Sequence, residues 1–179
     1  MRQSIIIILI IFITELKAQE PIIAWQQTIG GSGLDYFISC NQTSDNGYII
    51  GGYSYSGISG DKTEGNIGSA DYWILKLDSV GDIEWQNTIG GTSSDFLASV
   101  EQTFDGGYII GGYSKSGISG DKTELNITGG EGYDYWIVKL NALGSIEWQN
   151  TIGGNNDDFL VSTHQTMDGG YIIGGYSSS

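Results

Sequence analysis

Short stretches of apolar and polar residues alternate along the chain, and each stretch has the length of a β-strand. Residues 36–43 and 83–89 alternate with a period of two, which is typical of a strand with one buried face. Residues 72–77 carry large side chains on both faces, and residues 47–54 have a continuous apolar centre, as in a strand that is covered on both sides. The pattern predicts four strands and no helix within one stretch of the chain.

Tight turns separate these strands. Residues 45–47 (Asp-Asn-Gly) and 105–107 (Asp-Gly-Gly) supply residues that readily adopt positive φ, as a hairpin turn requires. In the first strand, the alternation predicts that Tyr36, Ile38 and Cys40 lie on one face. The unit therefore begins with an antiparallel hairpin.

The four-strand unit is repeated. The motif Trp-Gln-x-Thr-Ile-Gly-Gly begins at Trp25, Trp85 and Trp148, at spacings of 60 and 63 residues. A period of this length, with four short antiparallel strands in each unit, predicts an all-β fold of the β-propeller type, built from about 2.5 repeats. We assign a single strand to residues 22–29, four-stranded antiparallel blades to 35–91 and 95–154, and a half blade to 157–179.

The first residues have the features of a secretory signal peptide. Arg2 supplies a positive charge, residues 5–13 are uninterruptedly apolar, and Ala18 precedes a polar stretch. The apolar run is too short to span a bilayer, which takes about 20 residues. We expect cleavage of residues 1–18, so that residues 19–179 form a secreted protein, extracellular or at the cell surface, with no membrane span.

Composition excludes several classes of function. The 179 residues include 21 acidic and 7 basic side chains, a formal net charge of −14. This charge argues against nucleic acids and anionic membranes as partners, because phosphate binding needs clustered Lys and Arg. The single Cys excludes an internal disulfide and a Cys-clustered metal site. Since 39% of the residues are hydrophobic and 12% aromatic, the chain is not a disordered tail.

The repeat motifs resemble those of a known family. Each unit combines Gly-Gly-x-x-x-Asp with Gln-Thr-x-Asp-x-Gly-Tyr-Ile-Ile-Gly-Gly-Tyr-Ser, and the combination covers residues 25–179. The pattern resembles the bacterial β-propeller repeats of large secreted proteins, in particular those of Bacteroidota surface proteins exported by type IX secretion. The Thr-x-Asp-x-Gly segments that contain Asp45, Asp105 and Asp168 also resemble degenerate Asp-boxes. This resemblance implies that each Asp accepts hydrogen bonds from backbone amides of its turn.

The predicted blades are too few to form a closed ring, since propellers in one chain usually have about four to eight blades. We expect the chain to be incomplete, as a truncated protein or a fragment of a longer array, and assembly from several chains is the alternative. An incomplete array leaves an apolar face uncovered at each end, together with unpaired strand edges. We therefore expect self-association through the open blade faces.

Catalytic residues are not evident. Near-identical repeats supply the same groups at separated places, whereas a catalytic site needs different groups that converge on one atom. His164 differs from its counterparts Asn41 and Glu101, but the sequence suggests no second unusual residue as its partner, and we expect it to face solvent or a channel. Cys40 stands where the next repeat has Val100, which predicts a small buried side chain. We assign no catalytic residue and no cofactor-binding residue, and we expect no enzymatic activity.

Carboxylates in the loops at residues 54–70 and 114–133 are the candidates for a metal site and, because the loops are long, for a binding surface. Ca²⁺ needs about six to eight oxygen ligands, and no segment has the dense spacing that would supply them. We therefore expect solvated connectors and keep a Ca²⁺ site as the alternative. Its ligands would be Asp61, Glu64, Asp121 and Glu124. The aspartates before the first and third strands are expected to form turns: Asp35, Asp71, Asp95, Asp134 and Asp158.

Two functions are consistent with these observations. The first is a secreted, non-enzymatic β-propeller module that serves surface binding or structural spacing, with an unidentified protein or glycan as partner. The second is a partial propeller of an extracellular glycan-processing enzyme whose catalytic part lies elsewhere. The tryptophans favour packing between blades over sugar stacking: Trp73, Trp85, Trp136 and Trp148.

Overall fold

The structure, a computed structural model, describes residues 23–127, 129 and 132–178. The predicted signal peptide at residues 1–18 lies outside this range. The described residues form ten strands in three antiparallel sheets. Sheet 1 contains β1 (Asp35–Gln42), β2 (Tyr48–Ser54), β3 (Asp71–Leu77) and β4 (Ile83–Ile89). Sheet 2 contains β5 (Asp95–Gln102), β6 (Tyr108–Ser114), β7 (Asp134–Leu140) and β8 (Ile146–Ile152), and sheet 3 contains β9 (Asp158–Gln165) and β10 (Tyr171–Ser177).

The predicted all-β fold with four-stranded antiparallel sheets is confirmed. Within sheets 1 and 2, hydrogen-bonded neighbours are consecutive strands of the chain. The strand predicted at residues 22–29 is not formed in its described part, because residues 23–30 have no neighbouring strand to pair with among the described residues. No helix in the described ranges is long and apolar enough to cross a membrane.

The first strand of every sheet contains a β-bulge. In β1 the register shifts between Phe37 and Ser39, so Ile38 is the inserted residue. The prediction that Tyr36, Ile38 and Cys40 share one face is therefore wrong. Because a bulge inserts one residue, the strand loses its simple alternation there, and Cys40 lies on the face opposite to Tyr36.

The Gly-Gly pair of the second strand permits two close approaches. A Cβ at Gly52 would overlap the carbonyl oxygen of Tyr36 at the bulge. A Cβ at Gly51 would lie 2.9 Å from the side chain of Leu97 and 3.2 Å from that of Val100, both of which belong to the next sheet. The repeated Tyr-Ile-Ile-Gly-Gly sequence thus accommodates the bulge and lets the following sheet pack closely.

Consecutive sheets pack face to face. Tyr72 and Ile74 of β3 form a buried core with Trp136 and Val138 of β7. The rings of Tyr72 and Trp136 are 5.0 Å apart, and the Tyr72 hydroxyl donates a hydrogen bond to the carbonyl oxygen of Trp136 at 3.1 Å. A smaller core lies between sheets 2 and 3 and contains Ile109, Ile137 and Leu160. Two of the three cores in the described residues therefore lie between sheets. The third contains Trp73, Leu75 and Leu77 and lies on the face of sheet 1 opposite to sheet 2.

The hairpin turn between the first two strands is closed by a side chain. Asp45 Oδ1 accepts hydrogen bonds from the Thr43 hydroxyl at 2.5 Å and from the amide of Gly47 at 2.9 Å. Asn46 has a φ of 68° and its counterpart Gly106 a φ of 82°, as predicted for these turns. The contact that the Asp-box resemblance implied is therefore present.

Candidate functional site

The loop carboxylates proposed as cation ligands bind backbone amides. Asp61 accepts a hydrogen bond from the amide of Gly30 at 3.1 Å, and Glu64 accepts one from the amide of Thr88 at 2.6 Å. The second repeat has the same two contacts, from Gly90 to Asp121 at 3.1 Å and from Thr151 to Glu124 at 2.5 Å. The loops are therefore attached to neighbouring segments by their acidic side chains, while Asp61 and Glu64 remain exposed to solvent.

Glu64 and Asp121 come together where sheet 1 meets sheet 2. They line a cavity of about 420 Å³ that also contains Asn87 and Gly144. Burial raises the pKa of Asp121, the hydrogen bond from Gly90 lowers it, and the charge of Glu64 raises it further. Within the described residues, no three His, Cys, Asp or Glu side chains group closely enough to hold a metal ion. A cation in this cavity would therefore meet two carboxylates, those of Glu64 and Asp121.

Two lysines are buried under these loops, which the sequence analysis missed. Lys62 is 1% exposed, and its Nζ lies 5.4 Å from the ring centroid of Trp73. The ammonium donates hydrogen bonds to the carbonyl oxygen of Glu64 at 2.8 Å and to the hydroxyl of Thr88. Burial lowers the pKa of Lys62, while nearby carboxylates oppose that shift. Lys122 repeats the arrangement, so the unchanged sequence SGISGDKTE reflects loop packing.

The aspartates at the strand entries form turns, as predicted. Asp35 Oδ2 accepts hydrogen bonds from the amide of Gly31 at 2.7 Å and from the hydroxyl of Ser56 at 3.1 Å. Asp71 Oδ2 accepts one from the amide of Ile67 at 2.6 Å. Asp95 and Asp158 repeat the contact of Asp35 with the glycine four residues earlier.

Asp71 and Asp95 interact at the boundary between sheets 1 and 2. Both side chains are fully buried, and the amide of Asp95 donates to the carbonyl oxygen of Ala70 at 2.7 Å. Burial raises the pKa of Asp71 to about 6, hydrogen bonds from Gly68 and Ile67 oppose the increase, and the charge of Asp95 adds to it. Burial also raises the pKa of Asp95. Raised carboxylate pKa values are common in active sites, but these two groups are closed to solvent.

The first strands of the three sheets line a concave groove of about 750 Å³. One position that differs between repeats lies on this groove in every sheet, and it is occupied by Asn41, Glu101 and His164. Nδ2 of the Asn41 side chain donates a hydrogen bond to the carbonyl oxygen of Val100 at 2.6 Å. His164 is exposed on the groove, where solvent reaches it, as predicted.

His164 has a partner that the sequence analysis did not identify. Its Nδ1 lies 2.7 Å from the Glu101 carboxylate, and its Nε2 lies 3.0 Å from the Ser162 hydroxyl. Glu101 also differs from its counterparts, so an alignment of the first strands could have revealed the pair. The three groups have the order of a nucleophile, a base and an orienting acid. The His164 side chain is 66% exposed, and its contact with Glu101 connects β9 of sheet 3 to β5 of sheet 2.

Cys40 is exposed, so the prediction of a buried side chain is wrong. Its counterparts Val100 and Thr163 are buried because each packs against a glycine of the preceding sheet, Gly51 and Gly111 respectively. Among the described residues, no sheet precedes sheet 1, and Cys40 lies on the open face.

Aromatic side chains form a band at the end of the sheets from which the long loops leave. Phe96 lies between Tyr53 of sheet 1, at 4.8 Å, and Tyr113 of its own sheet, at 5.4 Å. Two loop tyrosines, Tyr55 and Tyr133, have their ring centroids 6.5 and 5.9 Å from that of Phe96. We call the following six residues the rim cluster: Tyr53, Tyr55, Phe96, Tyr113, Tyr133 and Phe159.

Three of the four tryptophans pack between sheets, as predicted, whereas Trp73 lies in the separate core of sheet 1 under Lys62. Trp136 packs on Tyr72, and Trp85 meets Tyr108 of the next sheet. No family model matches the chain, and no curated protein matches its sequence.

Proposed function

We propose that the chain is a secreted, non-enzymatic β-propeller module that serves surface binding or structural spacing. The observation that carries this proposal is the repeated interface between sheets. The ring centroids of Trp85 and Tyr108 are 5.5 Å apart at an interplanar angle of 68°, and those of Trp148 and Tyr171 are 5.5 Å apart at 63°. Each sheet is thus related to the next by nearly the same displacement, which is how blades are placed around an axis.

The position of the first strands supports the same arrangement. β1, β5 and β9 all line the concave groove, as the innermost strands of blades would line a central channel. The Lys62–Trp73 contact recurs as Lys122–Trp136 in the next sheet, so the outer parts of the sheets also repeat.

The carboxylates favour a non-enzymatic module over a partial glycan-processing enzyme. Glycoside hydrolysis usually needs two carboxyl groups that reach the sugar. Asp71 and Asp95 are buried, and Glu64 and Asp121 are occupied by backbone amides. These contacts assign the paired carboxylates to the structure of the loops and turns.

The uncovered faces of sheets 1 and 3 could bind a further blade. Ile172 of β10 is 60% exposed, whereas its counterparts Ile49 and Ile109 are completely buried in cores between sheets. On sheet 1, Phe37 is 38% exposed, whereas its counterparts Leu97 and Leu160 are buried against the preceding sheet. Sheets 1 and 3 therefore present the apolar positions that another blade would cover, from a further repeat or a second copy.

Electron microscopy of the secreted protein tests this proposal. Intact mass should show a chain that begins at Gln19, and class averages should show arcs or rings of radially arranged blades. A chain that retains residues 1–18 would refute the signal peptide. Particles in which the sheets form a closed two-layer sandwich would refute the propeller.

A further inference from the structure

The rim cluster is a second place, besides the Glu101–His164 contact, where residues that differ between repeats meet at the surface. Tyr55 corresponds to Lys115 in the second repeat, and Tyr133 corresponds to Ala70 in the first. Both tyrosines nevertheless contact Phe96, one from each side of the boundary between sheets 1 and 2. The repeat alone would not place them there, so the cluster has the character expected of a unique site.

The surface of the cluster is both aromatic and polar. Tyr55 is 42% exposed, and Phe96 and Tyr133 are half-buried. Within the described ranges, the hydroxyls of Tyr55 and Tyr133 form no hydrogen bond, and both are available to a ligand. Asp157 lies beside Tyr133, and its Oδ1 accepts a hydrogen bond from the backbone amide of Tyr133 at 2.9 Å. The other carboxylate oxygen of Asp157 adds an acceptor to the surface.

The size of this surface limits its occupant. An aromatic side chain covers about 150–250 Å² when it is buried, so these partly exposed rings present on the order of 300 Å². A stable protein interface takes about 800 Å² from each partner. These rings alone would supply less than half of such an interface, and their area matches that of a few sugar rings.

The chemistry of the patch fits a neutral sugar. One face of a pyranose carries C–H groups that pack on an aromatic ring, and its hydroxyls exchange hydrogen bonds with tyrosine hydroxyls and a carboxylate. The net charge of −14 and the adjacent Asp157 disfavour an anionic ligand. We propose that the rim cluster binds a neutral glycan, with pyranose rings stacked on Tyr55 and Tyr133 and hydroxyls bound by Asp157.

This inference rests on the proposed binding role of the module and gives it a ligand class. Its test uses substitutions that the chain itself supplies. Tyr55→Lys and Tyr133→Ala introduce the residue found at the equivalent position of another repeat, so the fold accommodates them. Phe104→Ser is the matched control, because Phe104 is an exposed aromatic residue at the opposite end of β5 and its counterpart is Ser44.

Calorimetric titration of the mature chain with cellohexaose, maltohexaose and xylohexaose measures the binding. We expect at least one hexasaccharide to bind, with affinity reduced about tenfold by Tyr55→Lys or Tyr133→Ala and unchanged by Phe104→Ser. Binding of none of the three, or an equal loss in Phe104→Ser, overturns the inference. Electron microscopy of the same samples separates the two proposals, since normal arcs or rings without sugar binding would refute only the glycan site.

Discussion

Trp25 lies edge-on to Tyr48, with ring centroids 5.5 Å apart and an interplanar angle of 68°. These values equal those of Trp85 and Tyr108, although Trp85 belongs to a strand and Trp25 does not. Residues 23–30 therefore occupy the place that the outer strand of a preceding sheet would take. Ile29 completes the contact by packing against the buried core of sheet 1.

Replacement of Trp25 tests whether this segment stabilises sheet 1. Trp25 is 38% exposed, so Trp25→Ala should lower the free energy of unfolding by about 2 kcal/mol, less than for a fully buried tryptophan. Urea denaturation of the mature chain measures the change. Ile23→Ser, at a more exposed position of the same segment, should change stability by less than about 0.5 kcal/mol. Equal effects of the two substitutions would contradict the assigned role.

The Asp-box turns differ in one contact, which allows an internal comparison. Lys76 Nζ is buried and lies 2.9 Å from Asp45, and Lys139 Nζ lies 3.0 Å from Asp105. Asp168 has no lysine partner among the described residues.

Asn substitutions at these turns should therefore differ in cost. Asp45→Asn keeps the hydrogen bond from Gly47 but leaves the buried ammonium with one carboxylate fewer, which should cost about 1–2 kcal/mol, moderated by the solvent around Asp45. Asp168→Asn should cost less than about 0.5 kcal/mol. Chemical denaturation at neutral pH gives both values. A larger loss of stability in Asp168→Asn than in Asp45→Asn would show that the contact with Lys76 does not stabilise the turn.

The buried Asp71 should make stability depend on pH. Its pKa in the folded protein is about 6, above the ordinary value of 3.8, so the folded state binds the proton more tightly. Protonation of Asp71 therefore stabilises the folded protein fully below pH 3.8, and this stabilisation is lost as pH rises through 6. Asp105 acts in the opposite direction, because the hydrogen bond from Thr103 lowers the pKa of its carboxyl group to about 2. The stability that Asp105 gives to the folded protein is therefore lost as pH falls towards 2.

A pH series of unfolding measurements checks this balance. Between pH 4 and 6 the free energy of unfolding should fall by about 2–3 kcal/mol through Asp71, and Asp71→Asn should remove most of that slope. Asp82→Asn, in an exposed turn, is the control and should keep the slope. Asp71→Asn with an unchanged slope would rule out Asp71 as its source.

Calcium should leave the stability of the protein unchanged. The loop carboxylates Asp61, Glu64, Asp121 and Glu124 all accept backbone hydrogen bonds. A cation that binds only the folded state would raise the melting temperature by mass action. The melting temperature should therefore be equal in millimolar Ca²⁺ and in chelator at constant ionic strength. A clearly higher melting temperature in Ca²⁺ would support a metal site in these loops.

Much of the fold could be predicted because the repeat marks it. The Asp-x-Gly turns and the alternation in residues 83–89 define strands, and their recurrence at spacings of 60 and 63 residues defines the sheets. The face assignment in β1 failed at Ile38, since a bulge has no distinctive residue type to reveal it.

Contacts between repeats were harder to predict. Cys40 is exposed because its environment depends on a preceding sheet, which the residue itself cannot indicate. The pairing of Glu101 with His164 requires that equivalent positions of neighbouring first strands be adjacent. The convergence of Tyr55 and Tyr133 on Phe96 joins two loops of different repeats, and sequence spacing carries no such information.

The central claim is that the sheets are blades whose open faces are completed by further blades. Ile172→Lys tests it most directly. The exposed Ile172 can accept a charge in the isolated chain, but the same position is buried where sheets meet, at Ile49 and Ile109. Ile58→Lys, at an exposed loop residue, is the matched control.

Sedimentation velocity over a range of micromolar concentrations is the decisive measurement. The mature chain and its Ile58→Lys variant should self-associate as concentration rises, while Ile172→Lys should remain a monomer. A compact monomer of the unmodified chain at every concentration, or equal association of the two variants, would contradict the account.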